Sequence, residues 1–207
     1  MSKFKKIYRI FFPGIVEQLK KDLSGCQSVL DLGCGYNSPV QYANVPFKVG
    51  VDLFDPYLEQ SKNKKIHNKY IKADINKVEF PPKSFDAVMA VDILEHLSKE
   101  DGLALLEKMG NWAKTKVILI TPNGFLEQDS YDQNPLQEHR SGWTVEEFKK
   151  EGFKVLGMDG YKKLRGYKGG VRFKPVLFWL ALSELSQEVA YYFPKLAFHL
   201  YVIKRIK

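Results

Sequence analysis

The sequence predicts an α/β protein in which a mostly parallel β-sheet carries helices on both of its faces. Apolar runs of strand length, rich in β-branched residues, alternate along the chain with helix-like stretches. The runs are continuously apolar, which is typical of strands buried on both faces of a parallel sheet. Because the 207 residues contain no linker rich in proline or glycine, we expect one domain over residues 1–207.

The predicted elements follow one another in a regular order. Residues 13–23 predict a short amphipathic helix with Pro13 in its first turn. Five buried strands are predicted after it, at Gln27–Leu32, Phe47–Asp52, Tyr70–Ala73, Phe85–Val91 and Val117–Thr121. Helices are predicted at Lys99–Met109 and at Thr144–Gly152, which begins with a capping box. Two closing strands are predicted at Phe153–Met158 and Leu196–Ile203.

Four acidic residues lie where the predicted strands end, which is the edge at which open α/β sheets bind their ligands. They are Asp31, Asp52, Asp74 and Asp92. Aspartate is also a common helix N-cap, which accounts for one or two of these residues but less readily for four in register. We therefore expect a binding site that is lined by carboxylates.

The negative charge of this edge narrows the choice of ligand. Gly33 and Gly35 form a tight turn, as in a dinucleotide-binding fingerprint, but Ser38 replaces the third glycine of that motif. Asp31 would repel a phosphate group. Asp52 lies 19 residues after Gly33, a spacing that suits a carboxylate binding both hydroxyls of a ribose. A ligand with a ribose, an adenine, an ammonium and a sulfonium but no phosphate fits best, and S-adenosylmethionine is such a ligand.

Five segments resemble motifs of the class I S-adenosylmethionine-dependent methyltransferases, type 11/23-like, and they occur in that family's order over residues 13–160. The segments are Val29-Leu30-Asp31-Leu32-Gly33-Cys34-Gly35, Gly50-Val51-Asp52, Lys72-Ala73-Asp74-Ile75, Phe85-Asp86-Ala87-Val88 through His96, and residues 117–124. The resemblance implies a Rossmann-like three-layer sandwich whose seven-stranded, mostly parallel sheet has an antiparallel last strand. It also implies a cofactor-binding core at residues 13–160, which leaves an insertion at residues 162–194.

The resemblance also implies roles for single residues. At the methionine end of the cofactor and its amino group, the implied binding residues are Asp31, Gly33, Cys34, Gly35 and Asp92. At the ribose and the adenine, they are Asp52, Leu53, Asp74 and Ile75.

Transfer to a hydroxyl needs a base or a metal ion that takes the hydroxyl proton. His96 and His139 are the histidines near the predicted edge, and both are candidate catalytic residues. The alternative for His139 is a loop histidine that hydrogen-bonds the backbone. Asp92-x-x-Glu95-His96 resembles the motif with which some ubiquinone-pathway and small-RNA methyltransferases bind a divalent ion. The main interpretation nevertheless places no metal here.

The net charge of +8 is concentrated at the two ends of the chain. Residues 1–10 contain four basic residues and no acid, and residues 161–207 contain ten basic and two acidic residues. Residues 11–160 carry a balance of −4. A uniformly basic nucleic-acid-binding protein would not show this distribution, so nucleic acid is the less favoured partner. We expect the basic ends to attract an anionic acceptor.

The insertion at residues 162–194 combines six basic residues with the apolar run Pro175–Leu182. This combination suits peripheral contact with an anionic membrane surface, and packing of the run on the sheet is the alternative. The run is too short to span a bilayer, and no secretory signal is visible. Two cysteines make no disulfide framework. The expected location is therefore the cytoplasm, including the inner membrane surface.

Together these features predict an S-adenosylmethionine-dependent methyltransferase that acts on oxygen in a small-molecule, glycan or lipid-linked acceptor. The long polar loop Gly124–Gly142, with aromatic residues at its edges, suits a sugar or another polyol. An RNA ribose methyltransferase is an alternative enzyme. A cofactor-binding regulatory module without turnover is the alternative outside the enzymes.

Overall fold

Seven strands form one sheet in the computed structural model, which describes residues 14–130, 132–166 and 169–206. They are β1 (Ser28–Leu32), β2 (Phe47–Asp52), β3 (Lys69–Lys72), β4 (Phe85–Val91), β5 (Ala113–Pro122), β6 (Lys154–Tyr161) and β7 (Ala197–Arg205). Their order is β3-β2-β1-β4-β5-β7-β6, and within the described residues β7 alone runs antiparallel to its neighbours. The predicted Rossmann-like sheet with an antiparallel last strand is confirmed.

Helices precede β1 and connect most of the strands. They are α1 (Ile15–Asp22), α2 (Asp55–Asn63), α3 (Lys99–Trp112), α4 (Val145–Lys150), α5 (Val176–Leu185) and α6 (Gln187–Tyr192). The predicted capping box of α4 is present, since the Thr144 hydroxyl accepts the N–H of Glu147 and the Glu147 carboxylate accepts the N–H of Thr144. Pro13, predicted in the first turn of α1, lies outside the described residues.

Both faces of the sheet are buried, as the continuously apolar strands predict. Leu30 and Leu119 belong to a core cluster that includes side chains of α3 and α4. Their chain neighbours Val29 and Ile118 belong to a second cluster, which includes Leu19 of α1. Because successive side chains of a strand point to opposite faces, the two clusters lie on the two sides of the sheet.

A bulge near its carboxyl end makes β6 longer than predicted. The register with β7 shifts between Met158 and Tyr161, and there Asp159 (φ +61°) and Gly160 (φ +71°) adopt left-handed conformations. A bulge changes the direction in which a side chain points. This one lies at the carboxyl edge of the sheet, beside the start of β7.

The insertion between β6 and β7 contains α5 and α6, and the apolar run at Pro175–Leu182 lies in α5 except for Pro175, which caps it. Among the residues that the structure describes, no helix is both long enough and apolar enough to cross a bilayer. The basic residues of the first ten positions and Lys168 lie outside the described part of the chain.

Candidate cofactor and acceptor site

A cavity of about 470 Å³ opens at the carboxyl edge of the sheet. The segments that follow the strands form one wall, which includes Gly33, Asp52, Leu53, Asp74, Ile75 and Ile93. A loop forms the other wall with residues 134–138 and Arg140. The cavity therefore brings together five of the predicted cofactor residues, from three separate connections, and its volume is typical of a small-molecule site.

Asp52 ends β2 and is held by backbone groups on both sides. One carboxylate oxygen accepts the N–H of Gly35 at 2.8 Å, and the other accepts the N–H of Phe54 at 2.9 Å. Burial raises the pKa of Asp52, and these two N–H groups oppose that shift. Each oxygen retains a second lone pair, so the carboxylate is fixed in position and can still accept two hydroxyl groups.

The turn that follows β1 needs glycine at two positions because of its backbone conformation. Gly33 (φ +61°) and Gly35 (φ +52°) are both left-handed, a conformation that glycine adopts at little cost. A Cβ at Gly33 would lie 1.9 Å from Cδ1 of Ile93, whereas the space around Gly35 is open. Cys34 between them is buried, and burial raises the pKa of its thiol. The turn thus presents backbone, rather than side chains, beside Asp52.

Asp31 lies in β1 and is buried beneath this turn. Its carboxylate hydrogen-bonds Nε2 of His67 at 2.9 Å, and both side chains are almost fully enclosed. Nδ1 of His67 faces the hydroxyl of Ser61 at 3.5 Å. The structure therefore gives Asp31 an internal partner that the sequence did not indicate, and contact with the cofactor amino group stays a prediction.

Asp74 and Ile75 line the cavity after β3. The Asp74 carboxylate accepts the N–H of Asn76 at 3.0 Å, which forms a tight turn and fixes the side chain at the cavity wall. Lys77 lies 3.7 Å from its second oxygen. This geometry leaves the backbone of Ile75 and the Asp74 carboxylate available to hydrogen-bond a nucleobase that has an exocyclic amine.

The loop between β5 and α4 forms the second wall of the cavity. Two hydrogen bonds attach it to the elements of the first wall. The hydroxyl of Tyr57 in α2 donates to the Asp132 carboxylate at 3.0 Å. Nδ1 of His96 donates to the Glu138 carbonyl at 3.0 Å. These contacts hold the loop over the cavity.

His96 and His139, the two predicted catalytic residues, lie side by side with ring centroids 4.8 Å apart. Nδ1 of His139 donates to the Leu126 carbonyl at 2.5 Å. Each ring therefore donates its Nδ1–H to a backbone carbonyl, and in the neutral imidazole Nε2 carries no proton. Burial lowers the pKa of His96 to about 4, and burial also lowers the pKa of His139. Both imidazoles are therefore neutral near pH 7 and are weak proton acceptors.

Glu95 joins these two histidines. One ligand atom from each of Glu95, His96 and His139 lies within 4.8 Å of the others. Glu95 is buried and accepts the hydroxyl of Thr121 at 2.9 Å. Burial and the nearby Asp92 carboxylate raise the pKa of Glu95 well above its usual range.

Asp92 itself faces a different histidine. It follows β4 in a left-handed conformation (φ +51°), and its carboxylate lies 3.9 Å from Nε2 of His199 in β7. Nδ1 of His199 hydrogen-bonds the Asp159 carboxylate at 2.7 Å. Burial opposes the charged imidazolium, but the hydrogen bond to Asp159 and the charge of Asp92 raise the pKa of His199, while Arg165 lowers it.

Sequence reasoning missed this cluster because its members come from three distant segments. His199 and Asp159 are 40 residues apart, and the bulge of β6 aims Asp159 at the ring. The local peculiarity of Asp159 is its left-handed conformation next to Gly160. This conformation cannot be recognised from the sequence, so no sequence signal marks the position.

Comparison with known proteins agrees with this geometry. Residues 30–121 match the family model described as "Methyltransferase domain". This match assigns a methyltransferase domain to residues 30–121, which are less than half of the chain. The matched span runs from β1 to the end of β5, so this methyltransferase domain contains the glycine turn, Asp52, Asp74 and Asp92.

Curated relatives share parts of the methyltransferase domain. A phosphoethanolamine N-methyltransferase of Plasmodium falciparum is 28% identical over 145 residues, which cover 61% of this chain and 54% of that protein. An uncharacterized methyltransferase of Mycobacterium tuberculosis is 31% identical over 128 residues, which cover 58% of this chain and 60% of that protein. The chain thus spans little more than half the length of these relatives.

A solved structure extends the likeness to nearly the whole chain at the level of the fold. The structure of an S-adenosylmethionine-dependent methyltransferase from Archaeoglobus fulgidus superposes with a TM-score of 0.55 at 18% identity. The alignment covers 98% of this chain and all of that one. The methyltransferase fold therefore includes β6, β7 and the insertion.

S-adenosylmethionine is the cofactor of this domain family, and the cavity has the groups that it requires. The Asp52 carboxylate has two acceptor positions for the ribose hydroxyls. The open space at Gly35 allows a ligand to approach the backbone next to that carboxylate. Asp74 and Ile75 line the cavity, and their contact with the adenine stays a prediction.

Proposed function

We propose that the chain is an O-methyltransferase that acts on a hydroxyl of an anionic acceptor, with His199 as the general base. The observation that carries the proposal is the hydrogen bond between His199 and Asp159 at the carboxyl edge of the sheet, next to Asp92. A carboxylate on Nδ1 fixes the tautomer of an imidazole and stabilises its protonated form. His199 is therefore built to accept a proton at Nε2.

The comparison among the histidines supports this choice. A general base works best when its pKa is close to the working pH. Burial holds the pKa of His96 at about 4, far below that range. The pKa of His199 lies above its usual 6.5, since Asp159 and Asp92 favour the imidazolium. His199 is consequently the stronger base of the two.

The reaction can be written with the residues of this chain. Bound S-adenosylmethionine supplies an electrophilic methyl group on a sulfonium. Asp52, Asp74 and the glycine turn would hold this cofactor, which leaves the side of Asp92 and His199 for the acceptor. His199 would take the acceptor's hydroxyl proton at Nε2 as that oxygen accepts the methyl group, and Asp159 would stabilise the imidazolium. The loop at residues 134–140 reduces the access of water.

The proposed acceptor is a small molecule, a glycan or a lipid-linked group that carries negative charge. Arg140 lines the cavity, and exposed lysines and arginines flank the insertion, so the surroundings of the site favour an anion. The Plasmodium relative is named for phosphoethanolamine, which is itself an anionic small molecule, although the methyl group there goes to nitrogen.

The test is the pH dependence of methyl transfer to an acceptor fraction of a cell extract. We expect the wild-type rate to rise with pH until His199 loses its proton, which occurs above 6.5. His199→Gln should lower the rate by roughly 10²- to 10⁴-fold without loss of cofactor binding. Asp159→Asn should move the rise to lower pH, because it removes the group that raises the pKa of His199. A full loss of activity in His139→Gln, with a normal rate in His199→Gln, would assign the base to His139 instead.

A divalent-ion site at Glu95, His96 and His139 is a second proposal. Both rings donate Nδ1–H to backbone carbonyls, as histidines that bind a metal ion through Nε2 commonly do. Two imidazoles and one carboxylate suit a divalent first-row transition ion, for which Mn²⁺ serves as the probe. In a calorimetric titration with Mn²⁺, we expect saturable heat for the wild type and none for His96→Gln. Wild-type heat no greater than that of the buffer would exclude the site.

A further inference from the structure

Helix α5 is strongly apolar, yet most of its residues are exposed. Its sequence VLFWLALSEL contains one charged residue, and Ser183 is its one buried residue. Leu177 is 81% exposed and Phe178 60% exposed. A strongly apolar helix is normally buried, and the described residues 14–130, 132–166 and 169–206 leave the outer surface of α5 uncovered.

The polar residues of the α5–α6 junction, rather than the apolar ones, attach it to the sheet. The Gln187 side chain accepts the N–H of Gly160 at 2.9 Å and donates to the Gly157 carbonyl at 3.1 Å. The Ser186 hydroxyl accepts the N–H of Tyr161 at 2.8 Å. Because these contacts use the polar side of the junction, the large apolar side chains point away from the sheet.

Further apolar side chains extend this exposed surface before and after α5. They include Phe173, Val189, Tyr192, Phe193 and Leu196. Single exposed apolar side chains are ordinary, but an extended group of them marks an interaction surface. We call α5, α6 and these flanking residues the apolar patch.

Basic residues lie next to the apolar patch. Lys162, Lys163, Arg172 and Lys174 precede α5 and are exposed, and Lys195 follows α6. A helix with ten residues is about 15 Å long, half of the hydrocarbon thickness of a bilayer, so α5 can lie in the interface of a membrane but not cross it. Apolar side chains beside lysines and arginines are complementary to a leaflet with anionic lipids.

We propose that the apolar patch and the basic residues before it dock on an anionic lipid bilayer. The docking surface is connected to the proposed site. Asn123, at the end of β5, donates to the carbonyls of Pro194 and Lys195, just after α6, and the bulge that holds Asp159 also binds Ser186 and Gln187. If the proposed function holds, an acceptor in the leaflet would approach His199 from this side.

Flotation with vesicles tests the docking directly, without cofactor or acceptor, so its result does not depend on methyl transfer. The wild type should float with phosphatidylcholine vesicles that contain about one third phosphatidylserine, and not with phosphatidylcholine alone or at high salt. Leu177→Glu combined with Phe178→Glu should reduce the bound fraction at least tenfold. Arg172→Glu combined with Lys174→Glu should remove the preference for phosphatidylserine.

A matched control and a second measurement make the result decisive. Leu103→Glu places the same charge on α3, at a leucine that is 46% exposed and lies outside the patch, and it should float like the wild type. Absence of flotation by the wild type, or equal flotation by the Leu177→Glu, Phe178→Glu variant, would overturn the proposal. Dimerisation through the patch would also overturn the proposal. In that case sedimentation would show a wild-type dimer that the Leu177→Glu, Phe178→Glu variant dissociates, and the wild type would not bind lipid.

Discussion

Replacing Asp52 with alanine should weaken cofactor binding by an amount that follows from its hydrogen bonds. The carboxylate accepts the N–H groups of Gly35 and Phe54, one on each oxygen, and keeps one lone pair on each for a ribose hydroxyl. Two hydrogen bonds to a charged acceptor at a partly exposed site are together worth about 2–3 kcal/mol. The dissociation constant of S-adenosylhomocysteine should therefore rise roughly 30- to 150-fold.

The assay is isothermal titration of S-adenosylhomocysteine into wild type and variants of verified thermal stability. Asp55→Ala is the matched control, because it removes a carboxylate three residues further on that is exposed and paired with Lys72. It should bind the ligand like the wild type. Asp52→Asn keeps one acceptor oxygen and should give an intermediate loss. A folded Asp52→Ala protein that binds within about twofold of the wild type would refute the assignment of the ribose site, since about 0.4 kcal/mol is too little for two such bonds.

Two further predictions concern stability and are read from urea unfolding. Gly102→Ala should lower the free energy of unfolding by about 1–3 kcal/mol, because the new Cβ would lie 2.4 Å from Cζ2 of Trp143. This clash outweighs the gain of about 1 kcal/mol in helix propensity. Gly110→Ala, on the same helix, places its Cβ in open space and should raise the free energy of unfolding by up to about 1 kcal/mol. If both variants changed the stability in the same direction, the close packing of Gly102 against Trp143 would be contradicted. Asp31→Ala should lower the free energy of unfolding by about 1–3 kcal/mol, because Nε2 of His67 loses its buried hydrogen-bond partner; a loss below about 0.5 kcal/mol would mean that this contact is not intact in solution.

The sheet was predictable because its signals are local. Each strand must bury side chains on both faces, so it reads as a continuous apolar run, and β2 and β4 begin and end at the predicted residues. The carboxylates Asp52 and Asp74 were predictable for the same reason, since Asp52 ends one recognisable strand, Asp74 lies two residues after the next, and both line the cavity.

The pairings across the site could not be predicted, because they depend on the register of distant strands. Asp31 bonds His67, 36 residues away, and this contact replaces the open carboxylate that the motif alone indicates. Asp159 reaches His199 through a bulge that is defined by the pairing of β6 with β7. The apolar character of α5 was visible in the sequence, but its outward orientation follows from the contacts of Ser186 and Gln187 with β6.

Methyl transfer itself is the most direct test of the central claim. A cell extract is incubated with the protein and methyl-labelled S-adenosylmethionine, and the lipid, glycan, RNA and small-metabolite pools are then separated. We predict that the wild type labels one pool with an oxygen-bound methyl group and that neither Asp52→Ala nor His199→Gln does so. A folded wild-type protein that binds S-adenosylhomocysteine but labels no pool would contradict the claim of an enzyme, and a nitrogen-bound label would contradict the claim of transfer to oxygen.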